Sequence, residues 1–581
     1  MPRHLNIHLL HIGLLLGSVA CANAGENTAN IAQGASYPAV TDARLAAPEA
    51  RNWLMYRGTY DSWGYSPLDA INTRNVAKLK PLWTFSTGMT EAHQAPPVVN
   101  EGHMFITTPH NHVLALDART GALNWRYQRE LPEDLMQMHP TNRGVALHGD
   151  KVYLATADAF LVALDAATGE VVWEQQVEDY LNGYYMTLAP LAAEGLILVG
   201  VSGGEFGVRG FIQAFEAATG KPAWKTWTVP GPGEPGHDTW PGDSWKRGGA
   251  PAWVTGSYDP KEKLTYWGTG NAGPWIGAAR PGDNLYSTSV LALDIHTGKI
   301  RAHHQYHWND SWDWDEVAAP VLIEQQRAGR TLKTLVHAGR DGYLWTLERR
   351  PDALAFVDAR PYVKQNVYSA IDPATGRPSY VEARVPKLGE RVEYCPSLWG
   401  GKDWPPVAYS PQTGYLYIPA NENLCGAVKG GPAEYRAGEM YMGVKVEDIE
   451  VMPTPEAKDH IGELQAWDLA SGKRVWTTEF ASHNWGPVLA TAGGLVFSGG
   501  THDRQFRAFD ASSGELLWQQ GTNSGVVGVP VSYQVDGRQY IAVQSGWGVD
   551  AERKQQVLNQ QLGTKVQVPQ GGVVWVFGLP D

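Results

Sequence analysis

The chain has 581 residues, with 47 basic against 60 acidic side chains and a net charge of −13. That acidic balance argues against nucleic acid and anionic membrane surfaces as partners. Charged residues make up only 18%, while 64 Gly and 24 Trp suit a fold with many tight turns and many packed indoles.

The first 24 residues differ in kind from the rest. Arg3 precedes an apolar run from Leu9 to Ala20, and Ala22-Asn23-Ala24 forms a small-x-small cleavage site. This reads as a secretory signal peptide, residues 1–24, leaving 25–581 as the exported domain. Cys21 offers a lipoprotein alternative, although Ser18 stands where Leu is preferred. Beyond Ala24 no run approaches the roughly 20 apolar residues of a membrane span. Cys395 and Cys425 then remain, an even pair that in an oxidising compartment most economically forms one disulfide. The sequence contains no Cys-x-x-Cys-His, so no covalently attached haem is expected.

From Ala115 a motif begins to repeat. A-L-D-A-R-T-G-A-L-N-W ends at Trp125, and close copies end at Trp173, Trp224, Trp476 and Trp518. Weaker copies start at Ala292, Ala370 and Ala408, with Ala302, Tyr380 and Ile418 in place of Trp. Each copy reads as a strand, a turn with Gly at the φ > 0 position, and a returning strand. One hairpin cannot bury both faces, but four-stranded blades stacked radially can, with an indole wedged between neighbours. The clean copies stand 48, 51 and 42 residues apart, one blade each. The predicted fold is all-β: a single propeller, which grows by adding blades rather than domains.

At about 45 residues per blade, much of the chain is left over as inserts: Pro230–Arg247, Pro274–Asn284, and the stretch between Gly414 and Ala466. Inserts in a repeat fold gather on one face and build the binding site there. Four segments carry residues that a plain scaffold does not need. They are Asn142-Arg143-Gly144, the Val201–Gly210 run S-G-G-E-F-G-V-R-G, Tyr266–Trp275 with G-T-G-N-A-G-P-W, and His307–Glu316 with W-D-W-D. Glu205, Asn271 and Asp313 come from different blades and would meet near the axis as a hard-oxygen cation site. Asp315, two residues on, would share a face with Asp313 and add a third carboxylate. His303, His304 and His307 resemble a metal cluster but follow a turn copy, so packed or solvated histidines are expected. Trp240, Trp245, Trp275 and Trp547 suggest an aromatic-walled pocket.

With these motifs, R-P-G-D-N at Arg280–Asn284 and C-P-S-L-W-G-G-K-D-W at Cys395–Trp404, the chain resembles the quinoprotein alcohol dehydrogenases, the methanol/ethanol dehydrogenase family that uses pyrroloquinoline quinone (PQQ). The resemblance runs from Tyr65-Ser-Pro-Leu68 over almost the whole chain and implies an eight-bladed propeller with the quinone near the axis. It implies Glu205, Asn271 and Asp313 as metal ligands and Asp313 as general base. It places Trp253 flat on the quinone, Arg143, Thr187, Ser202, Gly203 and Gly204 at its carboxylates and carbonyls, and Arg340 at its reactive oxygens. Trp485 matches a ring-edge indole, Trp275 a wall of the substrate pocket, and Cys395–Cys425 a family disulfide.

Departures are specific. Gln137 and Met138, followed by His139, stand where adjacent cysteines often cover the other quinone face, so softer packing is expected there. Gln94 replaces a rim Glu, Pro251 a Thr, and Asp403 an Asn. Lanthanide-using members share an Asp two residues after the base, which makes Asp315 point to a lanthanide rather than Ca²⁺. The expected activity is oxidation of an alcohol to an aldehyde or ketone in the periplasm, with a soluble c-type cytochrome as electron acceptor. A PQQ-dependent sugar or polyol dehydrogenase is the enzymatic alternative, and a propeller scaffold the non-enzymatic one. Neither the alcohol nor the oligomeric state, a homodimer included, is readable from the sequence.

Overall fold

A computed structural model describes residues 37–327, 329–457 and 460–580. The signal-peptide expectation therefore lies outside the described residues. From Pro38 onward the chain forms one unit, and its strands assemble into eight blades.

Seven blades take their four strands in chain order, blade 6 with an insert between its second and third. Blade 1 is Val98–Asn100, His103–Thr108, His112–Asp117 and Leu123–Gln128; blade 2 runs from Ala146–His148 to Val171–Gln176; blade 3 from Leu191–Ala193 to Pro222–Trp227. Blade 4 runs from Ser257–Asp259 to Ile300–Gln305, blade 5 from Val321–Arg327 to Ala353–Pro361, blade 6 from Ala408–Ser410 to Lys473–Phe480, and blade 7 from Val488–Thr491 to Leu516–Gly521. Blade 8 takes three strands from the far end of the chain, Val531–Val535, Arg538–Ser545 and Val573–Gly578, and its outer strand Lys80–Ser86 from near the start. Pairing of Lys80–Ser86 with Val573–Gly578 closes the ring by joining the two ends of the chain in one blade. First strands are mostly buried and last strands mostly exposed or half-buried, as blade 1 shows in Val98–Asn100 and Leu123–Gln128.

The repeat serves two purposes at once. Inside the hairpin, Asp165 Oδ1 accepts from the backbone N–H of Ala167 at 3.0 Å and of Thr168 at 2.9 Å, and Gly169 takes φ 77°. Between blades, the Trp125 indole donates to Ala166 O at 3.0 Å and covers Gly169, where a Cβ would stand 2.5 Å from the ring. The same docking recurs for Trp173 on Gly220, Trp224 on Gly298 and Trp476 on Gly514, and Trp83 covers Gly121 to join blade 8 to blade 1. Asp-Gly turns and Trp thus form one device, in which the turn of one blade is the seat for the indole of the previous one.

The weaker copies divide. Ala292 lies in the outer hairpin of blade 4, but Ala408 lies in the inner hairpin of blade 6. Ala370 belongs to a separate hairpin, Tyr368–Ile371 with Pro378–Tyr380, outside the blades. Its Asp372 caps the same turn. The turn chemistry is local and fits any hairpin; a following Trp marks an outer one, although the Ala292 copy forms an outer hairpin without it.

The inserts form irregular turns, a three-stranded sheet of Arg391–Tyr394, Leu424–Gly430 and Val444–Pro453, and a helix, Gly548–Leu562, between two strands of blade 8. Among the described residues no helix is long and apolar enough to cross a membrane.

Candidate active site

The glycine-rich run after Leu196–Gly200 turns through a 3-10 segment, Gly204–Phe206, with Gly203 at φ 106° and Gly207 at φ 68°. A Cβ on Gly203 would meet Gly183 O at 2.2 Å, and one on Gly204 would stand 3.2 Å from Asn271 Oδ1. Small residues therefore let this turn bring Glu205 beside Asn271. Asn271 follows the blade 4 strand Leu264–Gly268 and is wholly buried.

Asp313 and Asp315 lie in the connection from blade 4 to blade 5. Trp312 and Trp314 stack on each other at 5.0 Å and donate to Arg384 O and Ser397 O, so the two indoles fix the loop. Asp313 takes φ 61°, a left-handed conformation that Asp tolerates better than bulkier residues. Asp315 Oδ1 accepts from Asn271 N at 2.7 Å, and its Oδ2 from Arg340 Nη1 at 2.9 Å.

Arg340 gathers the site. Nη1 also donates to Asp313 O at 3.0 Å, and Nη2 donates to Asp403 Oδ2 at 2.6 Å. The 395–404 loop closes on Arg340 because residue 400 is Gly at φ 73°; a Cβ there would be 2.2 Å from Arg340 Cγ. The Cys395–Cys425 disulfide ties that loop to the three-stranded sheet. Arg143 donates to Thr187 Oγ1 at 2.6 Å, Thr187 lies 3.3 Å from Ser202 Oγ, and the guanidinium sits 4.8 Å from the Trp253 ring and 5.0 Å from that of Trp404. Trp253, Trp404, Trp485 and Trp547 share one apolar cluster.

Charge dominates this region. Burial pushes Asp313 well above the ordinary carboxylate range; Arg340 opposes it, and Asp315 and Glu205 reinforce it. Burial also carries Asp315 to about 7 and raises Glu205. These three carboxylates feel one another, yet they stand wider apart than His460, Glu463 and Glu479, the one such trio among the described residues with ligand atoms within 4.8 Å.

Several buried polar atoms here have no protein partner: Gln94 Oε1, Arg143 Nε, Asn271 Oδ1 and Nδ2, Asp313 Oδ1, Arg340 Nε, and the Nε1 of Trp404 and Trp485. Buried polar groups are nearly always satisfied, so such a concentration marks a binding site. Guanidinium donors and aromatic faces at one side, and carboxylates with an amide at the other, fit an aromatic polyanion held against a cation.

A family profile described as the PQQ-dependent glucose/ethanol/alcohol dehydrogenase β-propeller domain matches residues 53–367 and 355–541. The chain belongs to the PQQ-dependent alcohol dehydrogenases. It is 38% identical over 582 residues to the quinoprotein alcohol dehydrogenase PedH of Pseudomonas putida KT2440, covering 95% of this chain and 96% of that one. It is 36% identical to a lanthanide-dependent methanol dehydrogenase of Methylacidiphilum fumariolicum SolV, covering 86% and 85%. Among solved structures, a europium-containing methanol dehydrogenase superposes with a TM-score of 0.86 at 35% identity, covering 93% of this chain and 100% of that one. The dehydrogenase oxidises alcohols with PQQ.

The structure brings most of the expected site residues together. Trp275 packs with Ile276, Trp312, Trp314 and Met442; its backbone N–H donates to Met442 O at 2.9 Å, while Tyr441 N donates to Glu205 O. The four-tryptophan pocket does not form. Trp240 and Trp245 pack with Val229 and Ala250 in a satellite cluster, and Trp547 joins Trp253 and Trp485, because insert turns and not sequence proximity decide which indoles meet. The histidine trio does not converge either. His303 is exposed against Tyr286, His304 packs on Tyr306 and Trp345, and His307 lies 3.4 Å from Glu316.

Sequence reasoning missed the helix Gly548–Leu562. It places Asp550 2.6 Å from His139 Nδ1, beside the Gln137-Met138 positions, and Lys554 3.4 Å from Asp403 Oδ2. Ala551, Gln555 and Leu558 are its buried stripe, a helical spacing that was visible in the sequence.

Proposed function

We propose that this dehydrogenase uses a lanthanide with PQQ and that Asp313 is its general base. The observation that supports the metal is the set of three carboxylates, the buried Asp313 and Asp315 side chains and the partly buried Glu205, whose charges act on one another beside Arg340, with Asp315 bonded to Asn271 N. With a divalent ion the third carboxylate relies on Arg340, 2.9 Å away, for much of its compensation; a trivalent ion is held more strongly by the three together. The lanthanide- and europium-using relatives support the same choice.

When bound, PQQ and its metal supply the two-electron acceptor for the alcohol's hydride. Arg143, Thr187 and Ser202 hold the carboxylate rim, Trp253 provides the flat face, and Gly203 and Gly204 admit the backbone close to it. Gln94, Asp403 and Trp485 line the edge. Arg340, fixed by Asp315 and Asp403, orients the reactive oxygens. Asp313 Oδ1, which has no protein partner, takes the hydroxyl proton. Trp275, tied to the segment that covers Glu205, walls the alcohol. A separate soluble c-type cytochrome in the periplasm would accept the two electrons, since the sequence carries no haem-attachment motif.

Reconstitution with PQQ plus Ca²⁺ or La³⁺, followed by dye-linked oxidation of an alcohol, polyol and sugar panel, tests the reading. Higher turnover with La³⁺ and alcohols supports it. Full activity with Ca²⁺ and no gain with La³⁺ removes the lanthanide assignment, and a preference for sugars selects the sugar dehydrogenase reading.

A further inference from the structure

Asp403 stands where the family resemblance places Asn, which puts an extra buried anion against Arg340. An unpaired carboxylate there would compete with the site for the guanidinium, since buried charges need a partner. The structure supplies one from a distant part of the chain. Lys554, only 9% exposed, comes from the blade 8 helix and places Nζ 3.4 Å from Asp403 Oδ2, the same oxygen that Arg340 Nη2 reaches at 2.6 Å. Its Nζ also lies 3.0 Å from the centroid of the Trp485 ring, so the cation is held between a carboxylate and an indole face.

We propose that Lys554 is a positioning residue: by sharing Asp403 it frees Arg340 to serve Asp315 and the quinone edge, and it keeps the rim electropositive for a tricarboxylate cofactor. The inference rests on the PQQ-site reading above. Two further observations support it. Asp403 is held below its ordinary range because Arg340 and Lys554 together overcome its burial, so it is ionised and in need of both cations. Arg340 has a single guanidinium to divide among Asp313 O, Asp315 and Asp403, and among the described residues no other lysine or arginine bonds the Asp403 carboxylate, since Lys402 donates only to Asp403 O at 2.7 Å.

The arithmetic of charge makes a distinctive prediction. Lys554→Gln removes one positive charge and leaves Asp403 to Arg340 alone; Asp403→Asn with Lys554→Gln removes the pair and restores the balance. The test uses wild type, Lys554→Gln, Lys554→Arg, Asp403→Asn and the double variant, with Lys554→Met standing in if Gln prevents folding. The readouts are the equilibrium Kd for PQQ at fixed La³⁺, followed by quenching of tryptophan fluorescence, and kcat and KM separately, with melting curves as the fold control. Lys554→Gln is expected to weaken PQQ binding on the order of tenfold and to lower kcat without a matching rise in KM. Lys554→Arg should stay near wild type, and the double variant should recover most of the loss. PQQ binding by Lys554→Gln within twofold of wild type, or a double variant no better than Lys554→Gln, overturns the proposal. Failure of the wild type itself to bind PQQ would instead remove the site reading on which it stands.

Discussion

Replacing Asp315 by Asn should convert a metal preference, and the structure sets its size. Asn keeps an oxygen for the Asn271 N–H and removes only the charge. A unit charge about 4 Å from a cation contributes about 4 kcal/mol per ionic charge at an effective dielectric of 20, so a trivalent ion loses about 4 kcal/mol more than a divalent one. Asp315 already shares its charge with Arg340 at 2.9 Å, which roughly halves that difference to about 2 kcal/mol. The preference for La³⁺ over Ca²⁺ should therefore fall about 30-fold. Competition titrations of the apo-protein with PQQ, read by dye-linked alcohol oxidation, measure the ratio directly. A ratio that moves less than threefold in a folded Asp315→Asn protein would refute the charge-matching argument, since it would mean that Asp315 serves Arg340 and not the ion.

Three further outcomes follow from the same geometry. Asp313→Asn should lower kcat by about 10²–10⁴-fold with the melting temperature little changed; retention of more than a few per cent of wild-type kcat in a metallated variant would take the base role from it. Gly514→Ala should destabilise the protein by about 2–3 kcal/mol, because its φ of 76° disfavours a side chain and the new Cβ would stand 2.6 Å from Trp476; equal denaturant midpoints would show that the indole yields freely. Burial holds His93 at about 4 and both His304 and His483 at about 3, below the unfolded value near 6.5. Because their folded values are depressed, the unfolded chain binds more protons in this window. The stability contributed by these three histidines should thus be full above pH 7 and fall by about 4 kcal/mol by pH 5.5, against the buried Asp315 and Asp341, whose raised values of about 7 and about 8 act in the opposite direction. His304→Phe should lose about 1.4 kcal/mol less stability than wild type between pH 7.5 and 5.5 in denaturant unfolding, and parallel pH profiles would contradict the argument.

The propeller was legible in the sequence because its determinants are local and repeated. Asp, Gly and Trp at fixed spacing specify a hairpin and its docking seat, and five clean copies announce the architecture. Glu205, Asn271 and Asp313 were legible for a related reason: each ends or follows a blade strand, and radial symmetry brings such ends to one place. The Ala370 copy shows the limit of that logic, since an identical turn can cap a hairpin that joins no blade.

Only the tertiary structure decided which residues from different inserts meet. Lys554 reaches Asp403 across 151 residues of sequence, and no periodicity encodes that contact. Asp550 reaches His139 from the same helix, Gly400 allows a loop to close on Arg340, and Trp240 and Trp245 pack in a different cluster from Trp275. Blade strands are held by backbone pairing that any suitable alternation satisfies, so a sequence pattern suffices to place them. Insert side chains are placed by charge pairing and close packing between segments far apart in the chain, and those forces act only once the ring has closed.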